Sequence, residues 1–278
     1  MDTCTDRNLR YKPIIKWAGG KNWLIDRLKK IIPENFNRYH EPFFGGGSTF
    51  FNLKPSAGAC LSDTNEELIN FFIQLQNDFE SVLSILSTNE ISEEYFYRLR
   101  ETILVDDVER AARFYYLNQT CFNGLYRVNQ QGKFNVPYGR NNITNLSDHD
   151  KFLKIHEMLQ TSIIRCCDFG ETLSEINKND LVFLDPPYTV AHNLNGFIEY
   201  NKKLFSWSDQ ERLAKYIANI IEKGAFFILT NANHSSTVEL YKHLGKVSEV
   251  TRFSTIGGKA QSRKKISEII VTNCPELI

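Results

Sequence analysis

The chain is predicted to be an α/β protein with a doubly wound, mostly parallel sheet, on three observations. Short apolar runs alternate with amphipathic helical patterns along much of the sequence. Two runs, Leu181-Val-Phe-Leu184 and Phe226-Phe-Ile-Leu229, are apolar on both faces, as central strands covered by helices must be. At 278 residues, 42% of them hydrophobic, the chain is long enough for one well-buried core and a smaller second lobe.

In chain order, strands are predicted over residues 38–43, 57–62, 161–167, 180–184, 225–230, 247–253 and 267–272. Helical patterns cover 23–31, 48–53, 65–75, 208–222 and 235–244, and Ser208 with Glu211 carries a capping-box signature at one start. The last two strands are joined by residues 254–266, too short for a crossover helix, which predicts a closing antiparallel hairpin with a basic tip. Residues 78–156 break the alternation. Helical segments at 79–86, 92–103 and 108–120 give way to a polar, Gly- and Asn-rich stretch up to Arg140. No strand–helix unit fits there, so 78–156 is predicted to be an insert in a domain made of 1–77 and 157–278.

Composition narrows the function classes. No apolar run approaches the roughly 18–20 residues that span a bilayer. The start, Met1-Asp-Thr-Cys-Thr-Asp-Arg-Asn, lacks the apolar stretch of a secretory signal, so a cytoplasmic protein is expected. Six scattered cysteines form no C-x-x-C pair, and His192 and His234 have no second ligand at metal spacing, so neither disulfides nor a metal are expected. The formal net charge is zero, yet residues 1–30 hold eight Lys/Arg against three acids, and 252–265 hold five basic residues and no acid. These patches suit phosphate contacts or solvated loops equally well.

Glu41-Pro-Phe-Phe-Gly-Gly-Gly-Ser48 follows a predicted strand and precedes a predicted helix. A tight glycine turn in that place lets backbone approach a ligand beside a helix N-terminus. Asp63, eighteen residues after Gly45, ends the next strand and is placed to accept from ribose hydroxyls. Three consecutive glycines do not make the G-x-G-x-x-G of dinucleotide binding. Asp168, before Phe169, reads either as a partner for an adenine amino group or as a helix N-cap.

Asp185-Pro186-Pro187-Tyr188 ends the strand 180–184. By chance such a tetrapeptide occurs in a chain of this length only about once in a thousand. Two prolines stiffen the backbone and remove two N–H donors, leaving the Asp185 carboxylate and the Pro186 carbonyl as an acceptor-rich rim beside the face of Tyr188. Such a rim suits the amino group of a flat ring: two acceptors for two N–H donors, and a ring to stack on.

Together with Lys16-Trp-Ala-Gly-Gly-Lys21 and Ser62-Asp-Thr-Asn65, these motifs stand in the order found in the DNA adenine-N6 methyltransferase (Dam) family, in the alpha group of amino-methyltransferases. Phe122-Asn-Gly-Leu-Tyr-Arg127 and Gly132-Lys-Phe-Asn-Val-Pro-Tyr-Gly139 in the insert resemble that family as well. The resemblance implies a seven-stranded sheet with a reversed last strand and a helical, hairpin-bearing DNA-recognition lobe. It implies S-adenosylmethionine as cofactor, with Trp17, Ala18, Lys21, Phe43, Gly45 and Asp185 lining its site, Asp63 on the ribose, and Asp168 and Phe169 on the adenine. Double-stranded DNA is the implied partner of a monomer or weak dimer, and the implied reaction is methylation of a flipped-out adenine in a short palindrome such as GATC. Asp185, Pro186 and Tyr188 would be catalytic.

Within the insert, Arg127 can give a bidentate pair to guanine, and Asn123 or Asn118 can read a base edge. Leu125 and Pro137 offer contact to a thymine methyl, and Phe122 can wedge into the base stack where the family more often has tyrosine. Lys16 resembles a residue that contacts the outer base. Tyr200, in the loop after the tetrapeptide, is expected to help hold the flipped base. Asn231 and His234 fall on the same edge of the sheet. The competing readings are an RNA adenine or glutamine-amide methyltransferase, and a catalytically silent DNA-binding module.

Overall fold

The computed structural model describes residues 10–129, 131–140, 143–189, 205–253 and 265–275. The seven strands are β1 (Tyr39–Glu41), β2 (Ala59–Asp63), β3 (Ser162–Cys166), β4 (Leu181–Leu184), β5 (Phe226–Ala232), β6 (Lys246–Phe253) and β7 (Lys265–Thr272). They form one sheet in the order β3-β2-β1-β4-β5-β7-β6. β1 pairs in parallel with β2 and β4, and β4 with β5, whereas β7 runs antiparallel to both β5 and β6. The mostly parallel seven-stranded sheet with a reversed last strand is therefore present. The tip of the β6–β7 hairpin lies outside the described residues.

The chain divides into two compact units. The first takes residues 1–25, 44–54 and 62–166. It contains α2 (Ser48–Leu53), α3 (Glu66–Thr88), α4 (Glu93–Glu101), α5 (Asp107–Thr120), α6 (His149–Leu159) and β3. The helices predicted at 65–75 and 79–86 are one element, α3, broken at Asp78 where φ is −154° and ψ is 67°. Asn65 caps α3 by accepting from the Leu68 amide, and Asp106 caps α5 by accepting from Val108 and Glu109. Phe71 stacks on Tyr115 at 5.5 Å, locking these two helices together. The helix α6 was not predicted, although Asp148 caps it and Phe152, Ile155 and Leu159 bury one stripe. After α5 the chain makes antiparallel bridges Cys121↔Tyr138 and Val128↔Phe134, the predicted hairpin of the insert.

The second unit takes residues 26–43, 55–61 and 167–278, with α1 (Ile25–Ile31), α7 (Trp207–Glu222) and α8 (Ser235–Tyr241). Its core sets Leu213, Ile217 and Ile220 of α7 against Val182, Leu184, Phe227, Leu229, Ile269 and Val271 of the sheet. The capping box at the start of α7 is Ser206 with Asp209, two residues before the predicted Ser208–Glu211 pair. Ser206 is extended (φ −83°, ψ 173°), and the Asp209 carboxylate returns to its amide at 2.9 Å. A short 3₁₀ helix, Phe169–Glu175, follows Asp168, as the reading of that residue as a helix N-cap implies. No helix among the described residues is long and apolar enough to cross a membrane. No cluster of three or more metal-ligating side chains was found among them either.

Candidate active site

In the first unit, the glycine turn is shaped by a tryptophan. Gly45 (φ +49°) and Gly47 (φ +68°) are left-handed. A Cβ on Gly45 would lie 2.9 Å from the Trp17 ring, and one on Gly46 would lie 2.8 Å from Trp17 Cβ. A Cβ on Gly47 would meet Phe51 at 2.4 Å. Three glycines in a row are thus required by packing and backbone angle together. The Trp17 ring is half-buried, 5.3 Å from Tyr126, while Ala18 is exposed. Lys21 is buried, with Nζ donating to the Gly19 carbonyl at 2.9 Å.

Asp63 closes this turn. One carboxylate oxygen accepts from the Gly45 amide at 2.9 Å and the other from the Asn65 amide at 3.0 Å. Burial pushes its pKa up, against backbone donors, Gly45 first, that pull it down. Three backbone donors, from Gly45, Asn65 and Thr64, draw on Asp63, and a carboxylate has about four lone-pair directions, so it can still accept from a ribose hydroxyl. The anchored carboxylate and the Cβ-free turn fit a ribose and its neighbouring groups.

The expected DNA-contacting residues of the described chain also fall in this unit. Phe122 is half exposed (50%), and its amide donates to the Pro137 carbonyl at 2.9 Å across the hairpin. Asn123 is exposed at φ +55°, Pro137 is exposed and Leu125 is half-buried. Arg127 is exposed and donates from Nε to Asn135 Oδ1 at 2.8 Å, which aims the guanidinium while leaving other N–H donors of the fork. Lys16 is exposed, with Nζ on the Gln119 carbonyl.

Asn118 is not available to read a base. It is buried, its Oδ1 accepts from the Lys16 amide at 2.9 Å, and its Nδ2 donates to the Lys16 carbonyl at 2.7 Å. It fixes the backbone of Lys16 instead. Gly124 (φ +62°) helps, since a Cβ there would overlap the Lys16 stem at 2.1 Å. Tyr200 lies outside the described residues.

In the second unit, Asp185-Pro186-Pro187-Tyr188 leaves the carboxyl end of β4, with Pro186 buried and Asp185 and Tyr188 half-buried. The buried Thr230 of β5 donates to Asp185 Oδ1 at 2.7 Å. The Tyr188 phenol donates at 2.7 Å to Glu268 of β7, which is 1% exposed. Glu268 accepts in turn from Arg252 Nε at 2.6 Å. Burial, then the charges of Asp185 and Glu268, push the Tyr188 phenol well above its ordinary pKa, so it remains a donor. Thr189 is buried just beyond and accepts from Gln210 at 3.0 Å.

That glutamine explains Asn231, whose Nδ2 donates to Gln210 Oε1 at 3.0 Å on the buried helix side of β5. His234 is the N-cap of α8, accepting from the Ser236 amide. Both candidates are structural, and the neighbouring Thr230 makes the contact with the tetrapeptide. The sequence reading missed Thr230, Glu268 and Arg252. Their one local signal was an acid, Glu268, set directly before the apolar run Ile269-Ile270-Val271.

Also in this unit, Phe43 and Phe169 pack with ring centroids 5.4 Å apart. Asp168 takes the N-cap role, accepting from the Gly170 amide at 2.9 Å, and its other oxygen pairs with Arg212 at 2.6 Å. The Arg212 guanidinium lies 4.5 Å over the Phe169 ring.

Residues 17–256 match the family described as D12 class N6 adenine-specific DNA methyltransferase. The chain is 36% identical to the type II methyltransferase M1.LlaDCHI of Lactococcus lactis subsp. cremoris, over 98% of this chain and 99% of that protein. It is 32% identical to the type II methyltransferase M.MjaIII of Methanocaldococcus jannaschii, covering 95% and 100% of the two chains. The DNA adenine methylase of Haemophilus influenzae shares 30% identity over 94% of this chain and 93% of its own. With most of the chain matched and its motifs in place, the chain belongs to the D12 class of N6 adenine-specific DNA methyltransferases.

Proposed function

We propose that this enzyme methylates N6 of a flipped-out adenine within a short palindromic duplex site, GATC or a close relative, using S-adenosylmethionine. The observation that carries the chemistry is the mounting of Asp185 and Tyr188. The carboxylate is anchored through one oxygen by Thr230, and the ring is anchored through its phenol by Glu268. The Asp185 carboxylate and the Pro186 carbonyl accept the two amino hydrogens of adenine. Holding them draws the nitrogen lone pair out of conjugation and toward the methyl group, while Tyr188 stacks on the ring. S-adenosylmethionine, when bound, supplies an electrophilic methyl group on a sulfonium. On transfer of that methyl group to the amino nitrogen, Asp185 would take up the displaced amino proton and pass it to solvent. No covalent enzyme intermediate is involved.

In the first unit Asp63, with Trp17, Ala18, Lys21 and Gly45, is assigned to the cofactor ribose and its neighbouring groups. In the second unit Phe43, Asp168 and Phe169 are cofactor contacts, the last two by the family's likeness for its adenine. Residues 78–156 form the recognition insert, in which Arg127 reads guanine and Phe122 enters the stack. GATC follows from the likeness of the insert to the family motifs. Two relatives are named type II methyltransferases, which supports a place in a restriction–modification pair.

Labelled S-adenosylmethionine with duplex DNA or RNA, followed by single-molecule sequencing of the methylated DNA, tests base and site together. Methyl-adenine confined to GATC is the expected result, and label appearing only in RNA would overturn the proposal. Asp185→Ala should abolish transfer while largely sparing cofactor binding measured by calorimetry. Retained turnover would refute the chemistry assigned to Asp185.

A further inference from the structure

We propose that Glu268 is a positioning residue for methyl transfer, its buried carboxylate, held by Arg252, fixing the Tyr188 phenol and with it the ring plane on which the target base stacks. The inference rests on the reading of Tyr188 as the base-stacking residue. It begins from an anomaly in β7. Glu268 is followed by Ile269, Ile270 and Val271 in the strand Lys265–Thr272, and all four are essentially inaccessible to water. A carboxylate in such a place costs several kcal/mol unless it is paired and hydrogen-bonded. Here one oxygen accepts from Tyr188 at 2.7 Å and the other from Arg252 Nε at 2.6 Å.

The sheet explains how a residue 80 positions away reaches the tetrapeptide. β5 and β7 pair antiparallel with Thr230 opposite Ile270 and Ala232 opposite Glu268. Side chains alternate with period 2, so Thr230 and Glu268 project on the same face. From that face Thr230 reaches Asp185 and Glu268 reaches Tyr188. Arg252, on β6 two residues from the Val250 that faces Glu268, closes the chain from the far side. If the Arg252–Glu268 pair served only to tie β6 to β7, it would not need the Tyr188 phenol. If it orients the ring, removing either the acceptor or the phenol donor frees Tyr188 to rotate about its side-chain bonds, and stacking loses its fixed partner.

The test is a double-mutant cycle on the full-length enzyme with Y188F, E268Q and the double variant. It measures the single-turnover transfer rate, the KM for S-adenosylmethionine, Tm, and the fluorescence of DNA carrying 2-aminopurine at the target adenine. Y188F should slow transfer by roughly ten- to hundredfold, the scale of one hydrogen bond to a charged group, and E268Q, whose neutral amide can still bond the phenol, by less. The double variant should be no slower than the slower single one. The cofactor KM should stay at its wild-type value, and the quenching of 2-aminopurine by the stacked ring should weaken in both single variants. Rate losses that multiply in the double variant, or a wild-type rate in Y188F, would overturn the inference. Y188F leaves Glu268 and Arg252 intact, so it decides the matter even if E268Q fails to fold. Asp185→Ala, run alongside, separates the two levels. Turnover in that variant removes the reading of the tetrapeptide, whereas a dead Asp185→Ala with a wild-type Y188F removes only the role of Glu268.

Discussion

Asp63 carries a pH dependence whose sign follows from its surroundings. Burial raises its pKa, so it loses its charge at a higher pH than an ordinary carboxylate at about 3.9. Affinity for S-adenosylmethionine should therefore be level around neutral pH and decline on acidification, as the carboxylate proposed to accept from the ribose is protonated. The apo fold responds in the opposite sense. Its Asp63 binds the proton more tightly than the unfolded chain does, so this group adds stability as pH falls through that window and withdraws it as pH rises. Calorimetric Kd values across pH should show the decline in the wild type and not in Asp63→Asn. At Arg127 the observable is sequence choice. Arg127→Ala should relax discrimination at one guanine by about 1–3 kcal/mol. Asn135→Ala, which frees the guanidinium that Asn135 holds at 2.8 Å, should do so more weakly. Methylation rates on single-base variants of the site measure both, and a uniform loss over all sequences would assign Arg127 to phosphate.

At the scale of elements, the glycine turn and the α7 start show how local patterns become geometry. The run Gly45-Gly46-Gly47 reads as a ligand turn in the sequence, but its packing against Trp17 is visible only once residues 15–17 are brought beside it. Gly46→Ala should force Trp17 aside and cost about 1–3 kcal/mol, read as a lower Tm and a weaker cofactor Kd. Gly20→Ala makes only a 3.6 Å contact with Ser48, so its Tm should stay near the wild-type value. The central strands β4 and β5 were legible because buried parallel strands leave dense apolar runs in the sequence. The start of α7 was misplaced because two serines stand two residues apart, and only backbone angles select Ser206 as the cap. The helix α6 was missed although its cap and stripe are local, because the polar stretch before it reads as continuing loop.

For the whole molecule, a net charge of zero means that DNA affinity has to come from local groups rather than from an overall field. Lys16 is exposed, and its backbone is fixed by Asn118. If its ammonium contacts phosphate, Lys16→Ala should reduce the slope of log Kd against log salt by about 0.9. Fluorescence anisotropy over a salt series measures it, and an unchanged slope with altered site preference would assign Lys16 to a base.

By itself the sequence determined the α/β class, the reversed last strand, the family, and the motifs that nominate Asp63, Asp185 and Tyr188. These rest on periodicity and on contiguous residues, both of which are local. The sequence did not determine which residues hold those side chains in place. Thr230 and Glu268 stand 45 and 80 residues from the tetrapeptide residues they bond, and they meet them because β5 lies between β4 and β7 in one register. Pairing between distant strands is fixed by burial and by hydrogen-bond closure over the whole sheet, which no local pattern records. The same tertiary closure turned Asn118 from a candidate base reader into the clamp on Lys16.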